Sequence, residues 1–382
     1  MRLLHTSDWH IGRTFHTHST LDHLGTVLGA LVTAVREQNV DVVLVAGDVF
    51  DSAAPSTAAI ELFQSALGGL RHAGAEVVIT SGNHDSVARL GMHADWLGAA
   101  GIHLRTRHQR LDAPVTLRDE HGPVHVYGIP YLEPALLKHE HPAVPLGSQE
   151  QALRFAMQRI RADLDDRGGR SVVLAHCFAA GVPASDVERD ISRGGIDLVP
   201  AAVFEGVDYV ALGHIHGRAT IADRVRYSGA PLHYSFGEAG KPRGGWLVDL
   251  GPDGVEAIDW LGLPVPKPLT EVTGSLDLLL EDPALAAAEG HWVKAVVTDR
   301  VRPTDGMRRL QRRFPSCVAF EWRPESVADP GRATYAERVR GRSDTEIVAD
   351  FLALMRNGEG PSDFERRLVT DLLAGQRQPG AA

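Results

Sequence analysis

The sequence predicts an α/β protein in which a sheet lies between helical layers, followed by a small α/β module and a pair of C-terminal helices. Three observations lead to this prediction. Strand-like and helix-like stretches alternate over the first 216 residues, short strands with glycine and proline turns follow, and a proline-rich stretch precedes the C-terminal part of the chain. Alternation of this kind is typical of a sheet covered by helices on both faces.

The predicted strands of the first part are near-continuous apolar runs, which are typical of strands buried on both faces. They are Val40–Ala46, Glu76–Thr80, Ser171–Ala175 and Tyr209–Leu212. Apolar residues also recur at three- and four-residue steps from Leu21 to Val35, which predicts an amphipathic helix. A second helix is expected to begin at Ser56, after Pro55.

The pattern changes near Val225. Short strands with glycine and proline turns between Val225 and Trp260 predict a second sheet that completes the same domain. The prolines at 264, 266 and 268 predict a stiff, extended linker. After it, a strand, a helix and a strand predict a small α/β module: Trp292–Thr298, Thr304–Phe314 and Cys317–Trp322.

The last forty residues predict two helices, because Ser343–Glu346 and Ser362–Glu365 both match the capping-box pattern. Each helix carries an apolar stripe: Ile347, Phe351, Leu354 and Met355 on the first, and Phe364, Leu368 and Leu372 on the second. Two short helices bury little against each other, so the stripes need another surface. That surface is either the main domain or, as we favour, a partner protein. The predicted domains are residues 1–264, 265–330 and 331–382.

Composition indicates a globular protein without membrane segments. Of the 382 residues 43% are hydrophobic, and no apolar stretch approaches the length of a membrane span, about 20 residues. The chain begins in a strand-like segment, so no signal peptide is expected, and the two cysteines, Cys177 and Cys317, make no disulfide framework. We therefore expect a cytoplasmic protein. The net charge of −10 argues at first against nucleic acid, but phosphate binding depends on local patches.

Five short motifs, each at the end of a predicted strand, carry residues of the metal-ligand type. They are Asp8-Trp9-His10, Gly47-Asp48, Gly82-Asn83-His84-Asp85, Ala175-His176 and Gly213-His214-Ile215-His216. In open α/β sheets, ligands bind at the carboxyl ends of strands. Mixed carboxylate, amide and imidazole groups suit two divalent cations that share one site. Each residue alone has a plain structural explanation, but five motifs in order favour a metal centre.

The residue types suggest roles within this centre. Asp8 and His10 are one residue apart and can project to the same side. Asp48 is our choice for the carboxylate that bridges two cations, and Asn83 offers a neutral oxygen. The imidazoles of His176, His214 and His216 are also neutral ligands, so two dications with two carboxylates leave the site positive. Such a site favours a phosphate ester and an activated hydroxide.

The motifs resemble those of calcineurin-like metallophosphoesterases, D-x-H, GD, GNH[DE], H and GHxH. The amino-acid sequence that flanks the motifs is similar to that of the SbcD-type nuclease subunits of bacteria, over about residues 1–240. The segments that carry this closer resemblance are Leu4–Gly12, Val45–Asp51, Ser81–Ser86, Tyr227–Gly229 and Ser235–Glu238. The resemblance implies a β-sandwich flanked by helices, an α/β module that caps DNA and a C-terminal helix–loop–helix that binds an ATPase subunit.

The resemblance also implies roles for individual residues. One metal would be held by Asp8, His10, Asp48 and His216, and the other by Asp48, Asn83, His176 and His214. The two ions are expected to be divalent, with Mn²⁺ the usual metal of the family. His84 would contact the scissile phosphate and help the leaving oxygen depart. Asp51 would orient His84, although Asp51 could instead be a turn residue and Asp85 could orient the histidine.

The activity that the resemblance implies is metal-dependent hydrolysis of DNA: exonuclease action on double-stranded ends and endonuclease action on hairpins or single strands. The implied partner is an SbcC-type ABC coiled-coil ATPase, with a homodimer of the nuclease inside a heterotetramer. Sequence-independent DNA contacts are expected from an arginine-bearing helix face: Arg308, Arg309, Arg312 and Arg313. The alternative for the arginine-bearing face is a solvated helix surface. The alternative functions are a phosphodiesterase or phosphatase that acts on small nucleotides, and a non-catalytic subunit with a decayed site.

Overall fold

The computed structural model describes residues 1–179, 198–324 and 339–376. The chain divides into two compact units, Met1–Pro268 and Leu269–Ala382. The proline-rich stretch that predicted a linker lies at the end of the first unit.

The first unit contains fourteen strands among its described residues, and its two large sheets supply the frame of the site. The strands are β1 (Arg2–Thr6), β2 (Thr14–Phe15), β3 (His18–Ser19), β4 (Val42–Ala46), β5 (Glu76–Thr80), β6 (Ile102–Arg105), β7 (Val115–Asp119), β8 (Gly122–Ile129), β9 (Arg170–His176), β10 (Tyr209–Gly213), β11 (Ala219–Ala222), β12 (Val225–Tyr227), β13 (Gly244–Gly251) and β14 (Gly254–Gly262). The helices are α1 (Leu21–Glu37), α2 (Thr57–His72), α3 (Val87–Leu90), α4 (Ala94–Ala99), α5 (Pro134–Glu140) and α6 (Gln149–Arg167).

Two six-stranded sheets form the first unit, in the orders β14-β13-β1-β4-β5-β6 and β11-β12-β10-β9-β8-β7. The centre of the first sheet, β1-β4-β5-β6, is parallel, as is the β8-β9-β10-β12 run of the second. Parallel strands place their carboxyl ends at the same edge of a sheet. The five motifs therefore collect at one edge of each sheet.

The strands are buried on both faces, as their apolar runs predict. Along β4, Val43 and Val45 pack into a core shared with α1 and α2, whereas Val42 and Leu44 pack into a core that also holds residues of the second sheet. Along β9, Val172 and Leu174 join this core between the sheets, and the alternate residues pack towards α6. Alternation of side chains along each strand thus produces a helix–sheet–sheet–helix sandwich. The predicted α/β class and flanked β-sandwich are confirmed.

One detail of the prediction is wrong: the strands between Val225 and Trp260 do not make a separate second sheet. The strand β13 instead pairs antiparallel with β1, and β14 extends that sheet further. β12 pairs with β10 in the other sheet. The physical reason is that β1 and β10 would otherwise be edge strands with unpaired backbone groups.

The second unit contains the predicted α/β module. A parallel sheet of β15 (Leu269–Gly274), β16 (Trp292–Val297) and β17 (Cys317–Trp322) packs against α7 (Leu276–Glu281) and α8 (Gly306–Arg313). Leu310 and Phe314 are fully buried in this core. The strand β15 carries no motif and was not predicted.

The two predicted C-terminal helices are α9 (Asp344–Met355) and α10 (Asp363–Gln376). Ser343 and Glu346 form the expected reciprocal capping box of α9, and Ser362 and Glu365 form the same bonds before α10. The Arg356 guanidinium donates two hydrogen bonds to Glu365, which ties the two helices together. Among all described residues, no helix has the length and apolar character needed to cross a membrane.

Candidate metal centre

The side chains of the five motifs converge where the carboxyl ends of β1, β4 and β5 approach those of β9 and β10. Asp8 and His10 follow β1, Asp48 follows β4, and Asn83 and His84 follow β5. From the second sheet, His176 ends β9, and His214 and His216 follow β10. Asp8, His10, Asp48, His176 and His216 are at most 3% exposed. These five side chains are therefore removed from bulk water, whereas Asn83 and His214 are partly exposed.

The backbone at this edge is bent sharply to aim the ligands inward. Asp8, His10, Asp48 and His214 all have positive φ, between 44° and 105°. Such conformations cost energy for residues other than glycine and cluster at functional sites. The loop after β1 is hydrogen-bonded to the loop after β4, because Asp8 N donates to Gly47 O at 3.1 Å and His10 N donates to Asp48 O at 2.9 Å.

Glycine is required where the two sheets meet. A Cβ atom on Gly213 would lie 1.7 Å from the carbonyl oxygen of Ala46. A Cβ atom on Gly47 would lie 2.3 Å from His176 Nδ1, and Gly47 also has a φ of +80°. The glycines of the GD and GHxH motifs thus allow the strand ends to come close enough for shared ligation.

The ligand atoms fall into two groups that match the two expected metals. The first group is Asp8, His10 and His216, and the second is Asp48, His176 and His214; within each group the atoms lie within 4.8 Å of one another. A third group at the same spacing, His10, Asp48 and His84, overlaps the first two. Asp48 lies between the groups, since its Oδ2 is 3.6 Å from His10 Nε2 and 3.3 Å from His176 Nε2. This position fits the bridging role expected for Asp48.

Asn83 extends the second group. Its Oδ1 lies 3.1 Å from His176 Nε2 and 3.2 Å from His214 Nδ1. His176 donates from Nδ1 to the carbonyl oxygen of Ala46 at 3.0 Å, which leaves Nε2 to face Asn83 and Asp48. A backbone carbonyl that fixes the tautomer of an imidazole in this way is common around metal ligands.

Burial and mutual charge shift the pKa values of these groups. Burial lowers the pKa of His10 to about 4 and that of His214 to about 3. Burial acts in the same direction on His176, but the carboxylates of Asp48 and Asp8 outweigh it and raise its pKa to about 9. The reverse holds for Asp48, whose pKa is kept well below its usual value by His176, His10 and His84 against the effect of burial. The His176 ring is therefore protonated near neutral pH, and its positive charge lies between the buried carboxylates of Asp48 and Asp8.

The donor set fits two divalent cations. His10 Nε2 and His216 Nε2 lie 3.1 Å apart, so one cation can be held by both imidazoles. Carboxylate oxygens, an amide oxygen and imidazole nitrogens are ligands for Mn²⁺, Fe²⁺ and Zn²⁺ alike. The residues thus fit a two-metal centre, and Mn²⁺ stays a prediction.

His84 is half-buried beside the first group, with its ring centroid 4.9 Å from that of His10. Its Nδ1 donates to the backbone carbonyl oxygen of Asp51 at 2.9 Å, so Nε2 is the nitrogen that remains for a phosphate. The Asp51 carboxylate is directed elsewhere, towards His10 Nδ1 at 3.4 Å and the Arg13 guanidinium at 3.3 Å. Asp85 accepts from the backbone N–H groups of Val49, Phe50 and Gly82. Asp85 therefore holds two motif loops together, and neither carboxylate contacts the His84 ring.

The predicted DNA-contacting arginines lie on α8 and differ in their surroundings. Arg313 donates to the carbonyl oxygens of Leu279 and Asp282, so its guanidinium holds the module together. Arg308 and Arg309 pair with Asp305 and Asp277, and their side chains are 70% and 42% exposed. The side chain of Arg312 is exposed and contacts no partner within the described ranges.

The sequence predicted no role for Glu238, Arg243 or Tyr234, which lie near His216. Glu238 is 1% exposed and lies 3.7 Å from His216 Nδ1, and Arg243 and Tyr234 complete its environment. Glu238 belongs to the segment Ser235–Glu238, which contributed to the family resemblance. The sequence signal that could have indicated a role for Glu238 is an acidic residue within an otherwise uncharged segment.

Comparison with known proteins identifies the family from the sequence. The sequence model described as calcineurin-like phosphoesterase matches residues 1–218. Similar solved structures include TT1561 of Thermus thermophilus, with 14% identity, 68% of this chain and 98% of that chain covered, and a TM-score of 0.40. A dimetal phosphatase from Danio rerio is 14% identical, with 69% and 96% covered and a TM-score of 0.40. GAP50, the anchor in the inner membrane complex of Plasmodium, is 12% identical, with 69% and 84% covered and a TM-score of 0.41.

The family match includes all five motifs and the strands that carry them. It covers more than half of the 382 residues. The chain belongs to the calcineurin-like phosphoesterase family.

Proposed function

We propose that this phosphoesterase is the metal-dependent DNA nuclease subunit of an SbcCD-type complex, active in DNA repair, recombination and replication. It would act as an exonuclease on double-stranded ends and as an endonuclease on hairpins and single strands. The observation that carries the chemistry is the position of Asp48 between two ligand groups, with His84 beside them. The DNA substrate is supported by the sequence around the motifs and by the arginines of α8.

The chemistry divides between the metals and the chain. Two bound divalent cations would supply Lewis acidity and an activated water for attack on phosphorus. Asp8, His10, Asp48 and His216 would hold one ion, and Asp48, Asn83, His176 and His214 the other. His84 is held by the Asp51 carbonyl at Nδ1, so its Nε2 can contact a phosphate oxygen or give a proton to the leaving oxygen.

Surface arginines support a nucleic-acid substrate. Arg308 and Arg312 are exposed on α8 and can make salt-sensitive phosphate contacts. In the first unit, a groove of about 400 Å³ beside the end of β6 is lined by Arg105, Arg107 and Arg110. The Arg105 Nε atom in this groove is buried without a hydrogen-bond partner. These groups would bind a DNA backbone without reading its sequence.

The C-terminal helices support a protein partner. Their large apolar residues are exposed, at 47% to 67%: Phe351, Leu354, Met355, Phe364, Leu368 and Leu372. Exposed apolar patches on ordered helices mark interaction surfaces. We assign this patch to the SbcC-type ATPase subunit, in a heterotetramer that contains two copies of this chain.

The test is a nuclease assay with purified full-length protein and Mn²⁺ on blunt-ended, hairpin and single-stranded DNA, with and without the ATPase subunit. We expect metal-dependent cleavage of DNA ends and hairpins. Absence of cleavage in every combination, with hydrolysis of small nucleotide esters instead, would favour the alternative function of a small-nucleotide phosphodiesterase or phosphatase. Deletion of residues 343–382 is expected to abolish association with the ATPase and to retain basal cleavage.

A further inference from the structure

His10 and His216 have the same arrangement on their two ring nitrogens. Their Nε2 atoms face each other, and each Nδ1 faces a carboxylate: Asp51 Oδ1 at 3.4 Å from His10 and Glu238 Oε1 at 3.7 Å from His216. At these separations a carboxylate favours the tautomer that carries its proton on Nδ1. We propose that Glu238 and Asp51 are positioning residues that present both Nε2 atoms to the first metal. This inference rests on the metal centre of the proposed function.

Glu238 is fixed in place by contacts that leave one oxygen for His216. Its Oε2 pairs with the Arg243 guanidinium and accepts from Tyr234 N, and Ser235 Oγ donates to Oε1 at 3.1 Å. Arg243 also donates to the backbone carbonyl oxygen of His216. The buried ion pair therefore holds both the main chain and the ring of one ligand. A buried ion pair contributes little to the stability of a protein by itself. Its contacts with the ring and the main chain of His216 instead indicate that it orients this ligand.

The Asp51 pair is built from the same chemical groups. Arg13 Nη1 lies 3.3 Å from Asp51 Oδ1, and the Arg13 guanidinium lies 4.8 Å from the centre of the Tyr234 ring. Tyr234 links the two sides, because its ring centre is 5.6 Å from that of His10 and 5.7 Å from that of His216. The Tyr234 hydroxyl donates to the carbonyl oxygen of Trp9 and fixes the ring.

The second metal site is oriented differently. His176 Nδ1 donates to the carbonyl oxygen of Ala46, whereas His214 Nδ1 lies among the candidate ligand atoms of this site, 3.2 Å from Asn83 Oδ1. The main chain thus orients His176, as the carboxylates of Asp51 and Glu238 orient His10 and His216. Loss of Glu238 or Asp51 should consequently weaken one metal site and leave the other intact.

The experiment is a calorimetric titration of the metal-free full-length protein with Mn²⁺, for the unmodified chain, Glu238→Gln, Glu238→Leu and Asp51→Asn. We expect one of two sites to lose about 10- to 100-fold in affinity in the Leu variant, with smaller losses where an amide replaces the carboxylate. Asp119→Asn is the matched control, since Asp119 pairs with Arg170 at the other end of β9 and contacts none of the ligands. Folding is checked by circular dichroism.

A second readout separates positioning from general destabilisation. In metal-free protein labelled with ¹⁵N-histidine, the His216 signals should report a proton on Nδ1 in the unmodified chain and a shift towards the Nε2–H tautomer in Glu238→Leu. Unchanged tautomers and two unchanged sites in folded variants would overturn the inference. Asp51→Asn decides the matter if the Glu238 variants do not fold, because the Asp51 side chain is 32% exposed. If the unmodified protein binds no metal, the proposed function fails, and the tautomer measurement still tests the positioning.

Discussion

His84 Nδ1 lies 2.9 Å from the backbone carbonyl oxygen of Asp51, so the main chain holds the ring. A ring held in this way keeps its orientation when the side chain at position 51 changes, and its Nε2 is the nitrogen that remains to contact a substrate phosphate. A ring nitrogen of His84 also lies within 4.8 Å of ligand atoms of His10 and Asp48, so metal binding by a His84 variant decides whether this histidine is a ligand.

Replacement of His84 by Ala should leave metal binding intact and remove cleavage. Proton transfer from a positioned side chain contributes about 10²- to 10⁴-fold to a rate, and a loss of this size in kcat is expected. The measurement pairs a Mn²⁺ titration with a cleavage assay. His139→Ala is the control, because His139 is exposed on α5. Loss of an ion from His84→Ala would instead make His84 a ligand.

Asp48→Asn should weaken both metals, whereas Asp8→Asn should weaken only one. Asp48 Oδ2 lies within 3.6 Å of His10 Nε2 in one group and 3.3 Å of His176 Nε2 in the other, and Asp8 groups only with His10 and His216. Mn²⁺ stoichiometry and thermal unfolding measure the difference, since each site at 100 times its Kd stabilises the fold by about 2.7 kcal/mol. Retention of one tight site in Asp48→Asn would exclude the bridging role.

The stability of the metal-free protein should fall as the pH rises from about 6.5 to 9. His176 has a pKa of about 9 in the folded protein, against about 6.5 for an unfolded histidine. Its contribution to the free energy of unfolding is therefore complete below about pH 6.5 and is lost as the pH rises to about 9. His10 and His214, with pKa values of about 4 and about 3, are already neutral in this window. The slope should reach at most about 1.4 kcal/mol per pH unit.

Denaturant unfolding with a chelator, and again with saturating metal, measures this slope. Bound metal prevents protonation of His176, so the contribution of this group should disappear. His176→Asn should also lack it in the presence of the chelator. An identical slope with and without metal would contradict the position of the proton between Asp48 and Asp8.

Gly213→Ala should destabilise the protein and weaken metal binding. The new Cβ would lie 1.7 Å from Ala46 O and 2.9 Å from His176 Nδ1, so β4 and β10 would have to separate. Overpacking in a rigid core typically costs about 1–3 kcal/mol. Gly217→Ala is the matched control, because no atom lies within 4 Å of its Cβ position. Equal stability of both variants, measured by chemical denaturation, would show that the strand ends can separate freely.

The sequence was sufficient for features that depend on local pattern. Buried strands such as Val42–Ala46 follow from their apolar runs, and the capping boxes at Ser343 and Ser362 follow from residue spacing. Features that depend on distant chain segments were not predictable. The pairing of β13 with β1 joins residues more than 200 positions apart, and Glu238 reaches His216 only through that fold. The direction of the Asp51 carboxylate depends on side-chain rotation that the motif does not encode.

Arg312→Gln should weaken DNA binding and its salt dependence, whereas Arg313→Gln should mainly reduce stability. Arg312 is exposed on α8, and a lost phosphate contact lowers the slope of log K against log salt by about 0.9. Arg313 donates to the carbonyl oxygens of Leu279 and Asp282, so its loss leaves these groups without that donor. Fluorescence anisotropy with duplex DNA at several salt concentrations gives the slope, and thermal unfolding gives the stability. A salt slope unchanged in Arg312→Gln, and also in the double variant with Arg308→Gln, would remove this helix face from the DNA interface and leave the groove at Arg105 as the remaining candidate.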